Sequence, residues 1–406
     1  LSSNGRKENE LTVRILEALP IRHVEKELAK IRGLEISCAD FAAQLELYII
    51  RLDGLAAGQA TLFSNTAAKY GCLIPKNTAE TSSLIFAASK KQLGSMTEKT
   101  PDDLRTTCRA IENAIINFER RKFSIPYPGG RLDIAGKAAV MGIVNVTPDS
   151  FSDGGDNLSI DSATSSAFKM IEAGAAIIDI GGESTRPGSK PVSIDEELSR
   201  VIPVIEKISS ETEIPVSIDT HKPEVAKEAL KAGAKIINDI TGLRNGTAMA
   251  EIAAESGVPV ILMHMKGAPK TMQDNPVYGD LIHDIYSSLA GSIEKAEAFG
   301  IARNMLIVDP GIGFGKTFED NLMILERLHE FKSLGVAICV GASRKAFIGA
   351  VLGLKNPKER LVGSLSAALI AAVKGAKILR VHDVKETVEA LRLAEAVASG
   401  GFEKES

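Results

Sequence analysis

The chain has no tryptophan and only 4% aromatic residues, which leaves little surface on which nucleic-acid bases could stack. Its 406 residues include four cysteines, Cys38, Cys72, Cys108 and Cys339, with no close pair. That excludes a disulfide framework and a zinc site built on paired thiolates, and makes a reducing cytoplasm the expected location. Long apolar runs are missing as well. The longest near the C-terminus, 367–373, is far short of the roughly 20 residues that span a bilayer, and no basic-then-apolar segment opens the sequence. Nor does one sign of charge dominate: 48 Lys and Arg stand against 52 Asp and Glu, for a net charge of -4. Neither nucleic acid nor a membrane is an expected partner.

What is present suits one large domain and one smaller one. Residues 1–10 are polar and read as a disordered leader. From 11 to 123 the pattern is that of a small α/β domain: a strand at Leu11, Val13 and Ile15, a helix over 21–31, and a second capped by Asp40 and running through Ile50. A third helix follows over 55–70, then short strands at 72–74 and 83–88 and a long helix over 101–121. No catalytic motif occurs in this part, and His23 and Tyr48 read as surface or core residues. Residues 124–135, with the sequence SIPYPGGR at 124–131, read as a linker. Residues 399–406 read as a tail.

Between 136 and 398 the sequence offers eight buried-strand candidates: 138–145, 175–181, 214–219, 235–239, 258–264, 305–309, 336–341 and 377–381. Amphipathic helices separate them, with Ser193 and Glu196 forming a capping box, Pro223 in a first turn, and Pro357 opening a helix that Gly375 closes. Eight alternations over this length predict a (β/α)8 barrel, with a doubly wound sheet as the runner-up. A barrel gathers its chemistry at the C-terminal strand ends. Those ends hold Asn145, Glu183 to Gly188, Asp219, Asn238 with Asp239, His264 to Lys266, Asp309 with Gly311 to Lys316, Ser343 to Lys345, and Arg380 with His382. The opposite ends hold no such set.

Each of these residues also has a plainer reading. Asp179 could be an interior anchor paired with Arg380 or Lys345; Asp219 and Asn238 with Asp239 could cap helices, Met265 could be packing, and His382 could lie on the surface. GIGFGKT at 311–317 is neither a Walker loop nor a dinucleotide fingerprint, and reads as a flexible turn exposing Phe314. Taken together, Asp219, Asp309 and Asn238 can hold a flat nitrogen-rich ring such as a pterin by its guanidine-like edge, with Lys345 donating to it. Arg380 can stack on such a ring and fork toward a phosphate. His382, Thr185 and Asn145 complete an anion pocket, and the Asn145 oxygen suits a hard divalent ion.

The motifs NVTPDSFSDGG at 145–155, GGESTRPG at 181–188, SIDT at 217–220, NDI at 238–240, DPGIGFGK at 309–316, SRK at 343–345 and RVHDV at 380–384 resemble those of the dihydropteroate synthase family in order and spacing. The resemblance covers about 136–398. It implies condensation of 6-hydroxymethyl-dihydropterin diphosphate with 4-aminobenzoate, assisted by Mg2+, to give dihydropteroate and diphosphate for folate biosynthesis, in an enzyme targeted by sulfonamides. It implies that Asp219, Asn238, Asp309, Lys345, Met265 and Arg380 bind the pterin, and that Asn145, Arg380 and His382 take the diphosphate, Asn145 also meeting the metal. It places the aminobenzoate on Thr185, Pro187, Phe314, Ser343 and Lys345, beneath loops carrying Asp149, Phe151, Ser184 and Arg186. The catalytic set it implies is Asp309, Lys345, Arg380 and His382. A pterin-binding barrel that delivers methyltetrahydrofolate to a corrinoid shares the Asp/Asn pocket, but the SFSDGG, STRPG, SRK and RVH motifs favour the synthase. A related synthase acting on another arylamine stays open. Ala346 departs from the family, in which many relatives carry Ser. The assembly expected is a homodimer. The N-terminal extension reads as a stability or dimerisation module in preference to a regulatory one.

Overall fold

A computed structural model of the chain describes residues 11–18, 46–56, 58–74, 82–100, 102–146, 156–184, 191–267, 272–273 and 275–399. They divide into two units, one comprising residues up to Arg120 together with His329–Gly335, the other Arg121–Leu328 and Val336 onward.

The first unit is built on an antiparallel sheet in the order β1 (Thr12–Ala18), β2 (Tyr48–Asp53), β3 (Ser83–Ala88). Alternation turns Tyr48, Ile50 and Leu52 of β2 and Leu84, Phe86 and Ala88 of β3 inward, onto the helices Gln59–Lys69, Lys90–Lys99 and Asp102–Glu119. Phe63 and Phe86 meet edge to face at 5.1 Å. Arg14 is fully buried and paired with Asp53 at 3.4 Å and Glu330 at 3.1 Å, while Ser333 Oγ accepts from the Ile15 amide at 3.1 Å. The unit therefore draws part of its polar core from a segment more than 300 positions away in sequence.

Three sequence expectations change here. Residues 48–50, read as the end of a helix, are strand, because Tyr48 and Ile50 alternate with exposed Ile49. Residues 72–74 make only an isolated bridge at Leu73. The helix Lys90–Lys99, absent from the sequence reading, starts in a full capping box between Ser89 and Gln92. The expectations for 1–10 and 21–31, for Asp40 and for His23 fall outside the described residues.

The second unit is a closed barrel of eight parallel strands in sequence order: β6 (Ala139–Asn145), β7 (Ile177–Gly181), β8 (Val216–Asp219), β9 (Ile236–Asp239), β10 (Val260–Met263), β11 (Leu306–Asp309), β12 (Ala337–Val340) and β13 (Ile378–Val381). The segment read as a linker is instead a hairpin, β4 (Lys122–Tyr127) and β5 (Gly130–Ala135), joined across Pro128 and Gly129. Its Ile125 and Ile134 pack with Met141, Ile177, Ile236, Ile261, Ile307 and Ile378 in one buried cluster, which closes the barrel floor. The Pro and Gly that suggest a linker are the turn of this plug. Pro357 opens only a 3-10 turn, and the helix that follows is Leu361–Val373.

Candidate active site

Period-two alternation selects the residues that reach the barrel mouth. Four strands read isoleucine, apolar, polar: Ile177-Ile178-Asp179, Ile236-Ile237-Asn238, Ile307-Val308-Asp309 and Ile378-Leu379-Arg380. The first residue of each lies in the apolar floor. Two residues on, the same inner face carries an acid, an amide, an acid and a guanidinium.

Arg380 organises this layer. Its Nε donates to Asp179 Oδ2 at 2.6 Å and its Nη2 to Asp219 Oδ2 at 2.5 Å, and Asn238 Nδ2 donates to the same Asp179 oxygen at 3.2 Å. One cation thus serves two carboxylates. Asp179 Oδ1 and Asp219 Oδ1 are left buried with no hydrogen-bond partner among the described residues. Burial pushes the Asp219 carboxyl up to about 7, with Arg380 opposing and Asp179 adding to the rise. Burial also works against the charge of Arg380, but Asp179 and Asp219 outweigh it and raise its pKa. The reading of Asp179 as an anchor for Arg380 holds, and the same residue also contributes an open acceptor oxygen. Asp219 is not a helix cap: the following helix, Pro223–Lys231, starts from Lys222. Asp239 is not a helix cap either: the next helix, Ala248–Ser256, starts from Thr247, and Asp239 instead pins the turn after β9 by accepting from the Thr241 and Leu243 amides, each at 2.8 Å.

Asp309 ends β11, and its Oδ1 accepts from the Gly311 amide at 2.7 Å. Burial holds its carboxyl above the usual carboxylate range, against the pull of the Gly311 amide and Lys345. The turn that follows is fixed rather than flexible. Gly313 donates to Asn321 Oδ1 and accepts from Gln273, both at 2.7 Å, and Gly315 accepts from Tyr278 at 2.6 Å. Lys316, 2% exposed, donates to Phe314 O and His264 Nδ1, each at 3.0 Å. The glycines serve close approach. Gly311 has φ 72, and a β-carbon there would lie 1.9 Å from His264 O; one on Gly315 would lie 2.3 Å from Lys266 O. His264 is accordingly a buried brace and not a mouth residue. Burial and Lys316 push its pKa down to about 2, so the ring is neutral and Nδ1 can accept.

The braced turn presents Phe314, half-buried, beneath Lys345, whose Nζ sits 4.2 Å from the ring centroid. Ser343 Oγ accepts from the His382 amide at 3.2 Å and lies 3.0 Å from His382 Nδ1, which ties the ends of β12 and β13 together. Asn145, at the end of β6, faces the same gap as Asp219: a β-carbon on Gly181 would be 3.8 Å from Asn145 Oδ1 and 3.7 Å from Asp219 Oδ2. Met265 lines a cavity of about 210 Å3 with His221, Ile240, Thr241 and Arg244, over the loops after β8, β9 and β10. Ser184 is the last described residue before 185–190. Asp149, Phe151, Thr185, Arg186 and Pro187 lie outside the described residues. The role of Lys316 as a brace is not legible in the sequence, where the one signal is a lysine at the end of a glycine turn.

The description "Pterin binding enzyme" belongs to the family whose pattern matches residues 141–382. The chain belongs to the pterin-binding enzymes. It is 54% identical over 260 residues to the dihydropteroate synthase of Escherichia coli strain K12, covering 64% of this chain and 92% of that one. Among solved structures, a Yersinia pestis dihydropteroate synthase in complex with a sulfonamide drug matches with a TM-score of 0.65 and 48% identity, over 68% of this chain and 100% of that one. The Xanthomonas albilineans dihydropteroate synthase with 4-aminobenzoic acid matches with a TM-score of 0.65 and 45% identity, over 68% and 99%. The activity of the chain is that of a dihydropteroate synthase, a transferase of folate biosynthesis. The family match begins at Met141 and the chain is longer than these relatives, so the N-terminal unit is an addition to the synthase.

Proposed function

We propose that the barrel mouth joins 6-hydroxymethyl-7,8-dihydropterin diphosphate to 4-aminobenzoate by a dissociative, SN1-like transfer. The observation that carries this reading is the pair of buried, unpartnered oxygens, Asp179 Oδ1 and Asp219 Oδ1, beside Asn238, Asp309 and Arg380. Acceptors set in one layer above a dry floor fit the in-plane N–H groups of a guanidine-like ring edge. Asp219, Asn238, Asp309 and Lys345 hold the pterin, Met265 packs against it, and Arg380 lies against its face.

The bond between the pterin methylene carbon and the diphosphate oxygen breaks, and its electron pair leaves with diphosphate. Arg380, His382 and Asn145 receive that charge, while Asp309 stabilises the positive charge developing on the pterin. The arylamine nitrogen then bonds to the methylene carbon and loses its proton to diphosphate or water. Ser343, Phe314 and Lys345, with Thr185 and Pro187, hold the aminobenzoate so that its weakly basic amine faces that carbon. No protein nucleophile is needed. Among the described residues no three His, Cys, Asp or Glu side chains are grouped to hold a metal. A single amide oxygen from Asn145 nevertheless suits Mg2+, which keeps most of its waters and takes substrate phosphate oxygens. Asn145 would hold such an ion, and its charge would help offset that of the leaving diphosphate.

The test is diphosphate release from both substrates with Mg2+: steady release that requires the amine and is competed by a sulfonamide is expected, and silence refutes the reading. The raised carboxyl of Asp219 sets a pH dependence. As an acceptor it must be ionised, so kcat/KM for the pterin substrate is expected to rise about tenfold from pH 6 to pH 8, and this rise should vanish in Asp219→Asn. The stability term has the opposite sign: the folded chain keeps a proton that the unfolded chain releases near 3.8, so stability falls as pH rises toward about 7.

We also infer a cytoplasmic homodimer. Scattered, buried Cys72, Cys108 and Cys339 suit a reducing compartment, and no helix among the described residues is long and apolar enough to cross a membrane. Val351, Leu352, Val362, Ile370 and Val373 are exposed on the neighbouring helices Ala346–Leu352 and Leu361–Val373, an apolar surface suited to a second copy. Light scattering should return twice the chain mass of 43.1 kDa.

A further inference from the structure

We propose that Lys222 is a positioning residue: its ammonium latches the neck of the segment between β7 and the helix Ile194–Glu211, and thereby sets the arylamine subsite. The claim about the arylamine rests on the synthase reading, whereas the latch itself rests on geometry alone.

The neck consists of described residues on both sides. Going out, Gly182 packs so tightly on the helix Ile194–Glu211 that a β-carbon would lie 2.8 Å from Val201 Cγ1 and 2.9 Å from Glu197 Cγ. The Gly182 carbonyl accepts from Arg200 Nη1 at 2.7 Å. Glu183 follows, and its Oε1 accepts from the Val192 amide at 3.2 Å, which closes the neck. Coming back, the Val192 carbonyl accepts from Lys222 Nζ at 2.7 Å. The same ammonium donates to Glu183 Oε2 at 2.9 Å and to Glu197 Oε2 at 2.5 Å. An ammonium has three N–H donors, and all three are used on the neck and the helix beneath it.

Glu197 is fully buried, and its other oxygen has no partner among the described residues. Lys222 is the cation that makes this buried charge tolerable. Burial alone would lower the Lys222 pKa; Glu197 and Glu183 outweigh it and raise it, so the latch stays charged. Lys222 also stands three positions after Asp219, and its amide donates to Thr220 Oγ1 at 3.2 Å. The short loop that carries a pterin carboxylate thus carries the latch, so one rigid element positions both halves of the substrate pair.

The decisive experiment compares the full-length wild type with Lys222→Met and Lys222→Arg. Lys222→Met is expected to raise KM for aminobenzoate about tenfold, while KM for the pterin diphosphate and kcat stay within about threefold, and Lys222→Arg recovers most of the loss. In the protein without substrates, hydrogen exchange at the Val192 amide should speed up about tenfold in Lys222→Met relative to amides of β7 and β8. Equal rises in both KM values, or unchanged Val192 exchange, would overturn the latch. A wild type inactive with both substrates would refute the synthase reading instead, and exchange alone would then decide the latch. Should Lys222→Met fail to fold, Glu183→Gln weakens the neck, keeps the Lys222–Glu197 pair, and is read by the same two measurements.

Discussion

Arg380→Met is expected to lower kcat/KM about a thousandfold and to destabilise the fold by about 3–5 kcal/mol at neutral pH. The guanidinium is the cation that donates to Asp179 and Asp219, at 2.6 and 2.5 Å. Removing it leaves two carboxylates in a buried layer, and methionine fills the volume without donating a hydrogen bond. Those carboxylates can escape only by taking up protons. Their folded-state pKa values should therefore rise well above the unfolded values, so stability is kept at low pH and lost as pH rises. Thermal melts of the variant should approach the wild type near pH 5 and fall far below it near pH 8. Adding Asp219→Asn should recover much of the stability and none of the activity, because the anion and ring contacts proposed for Arg380 stay missing. A variant that melts like the wild type at both pH values would remove Arg380 from the centre of this account.

Asp309→Asn is expected to lower kcat at least tenfold, about 1.4 kcal/mol or more of transition-state stabilisation, with a smaller change in the KM for the pterin substrate. The substitution keeps an oxygen that can accept from the Gly311 amide, which stands 2.7 Å away in the wild type, so the turn carrying Phe314 is preserved. Under the mechanism proposed above, what it removes is the negative charge that stabilises the developing pterin cation. Single-turnover rates of diphosphate release, compared with equilibrium binding of the pterin substrate, separate the two effects. Unchanged turnover would show that Asp309 only orients the ring.

Much of the barrel is legible in one dimension because parallel strands, buried on both faces, are short apolar runs with polar loops at their ends. All eight candidates coincide with observed strands to within two residues at either end. The N-terminal unit is harder to read. The edge of β2 follows a segment whose polar residues suit a helix, and alternation over Tyr48, Ile49 and Ile50 is too short to overrule it without the pairing to β1 and β3. The hairpin at 122–135 has the composition of a linker, since turn residues look alike whether the flanking strands pack or not.

The site divides along the same line. Asn145, Asp219, Asn238, Asp309, Lys345, Arg380 and His382 stand out in the sequence because a polar residue at the end of a buried strand needs a reason to be there. Their identities, their order and the family they belong to were determined by the sequence alone. Which oxygens are committed and which remain open was decided only by the folded barrel. Arg380 is 201 positions from Asp179 and 161 from Asp219, and no local pattern says that one guanidinium will serve both. The same is true of Lys316 on His264 and of Lys222 on Glu183, Val192 and Glu197. Hydrogen-bond satisfaction depends on angles and distances between strands that only closure of the sheet brings together.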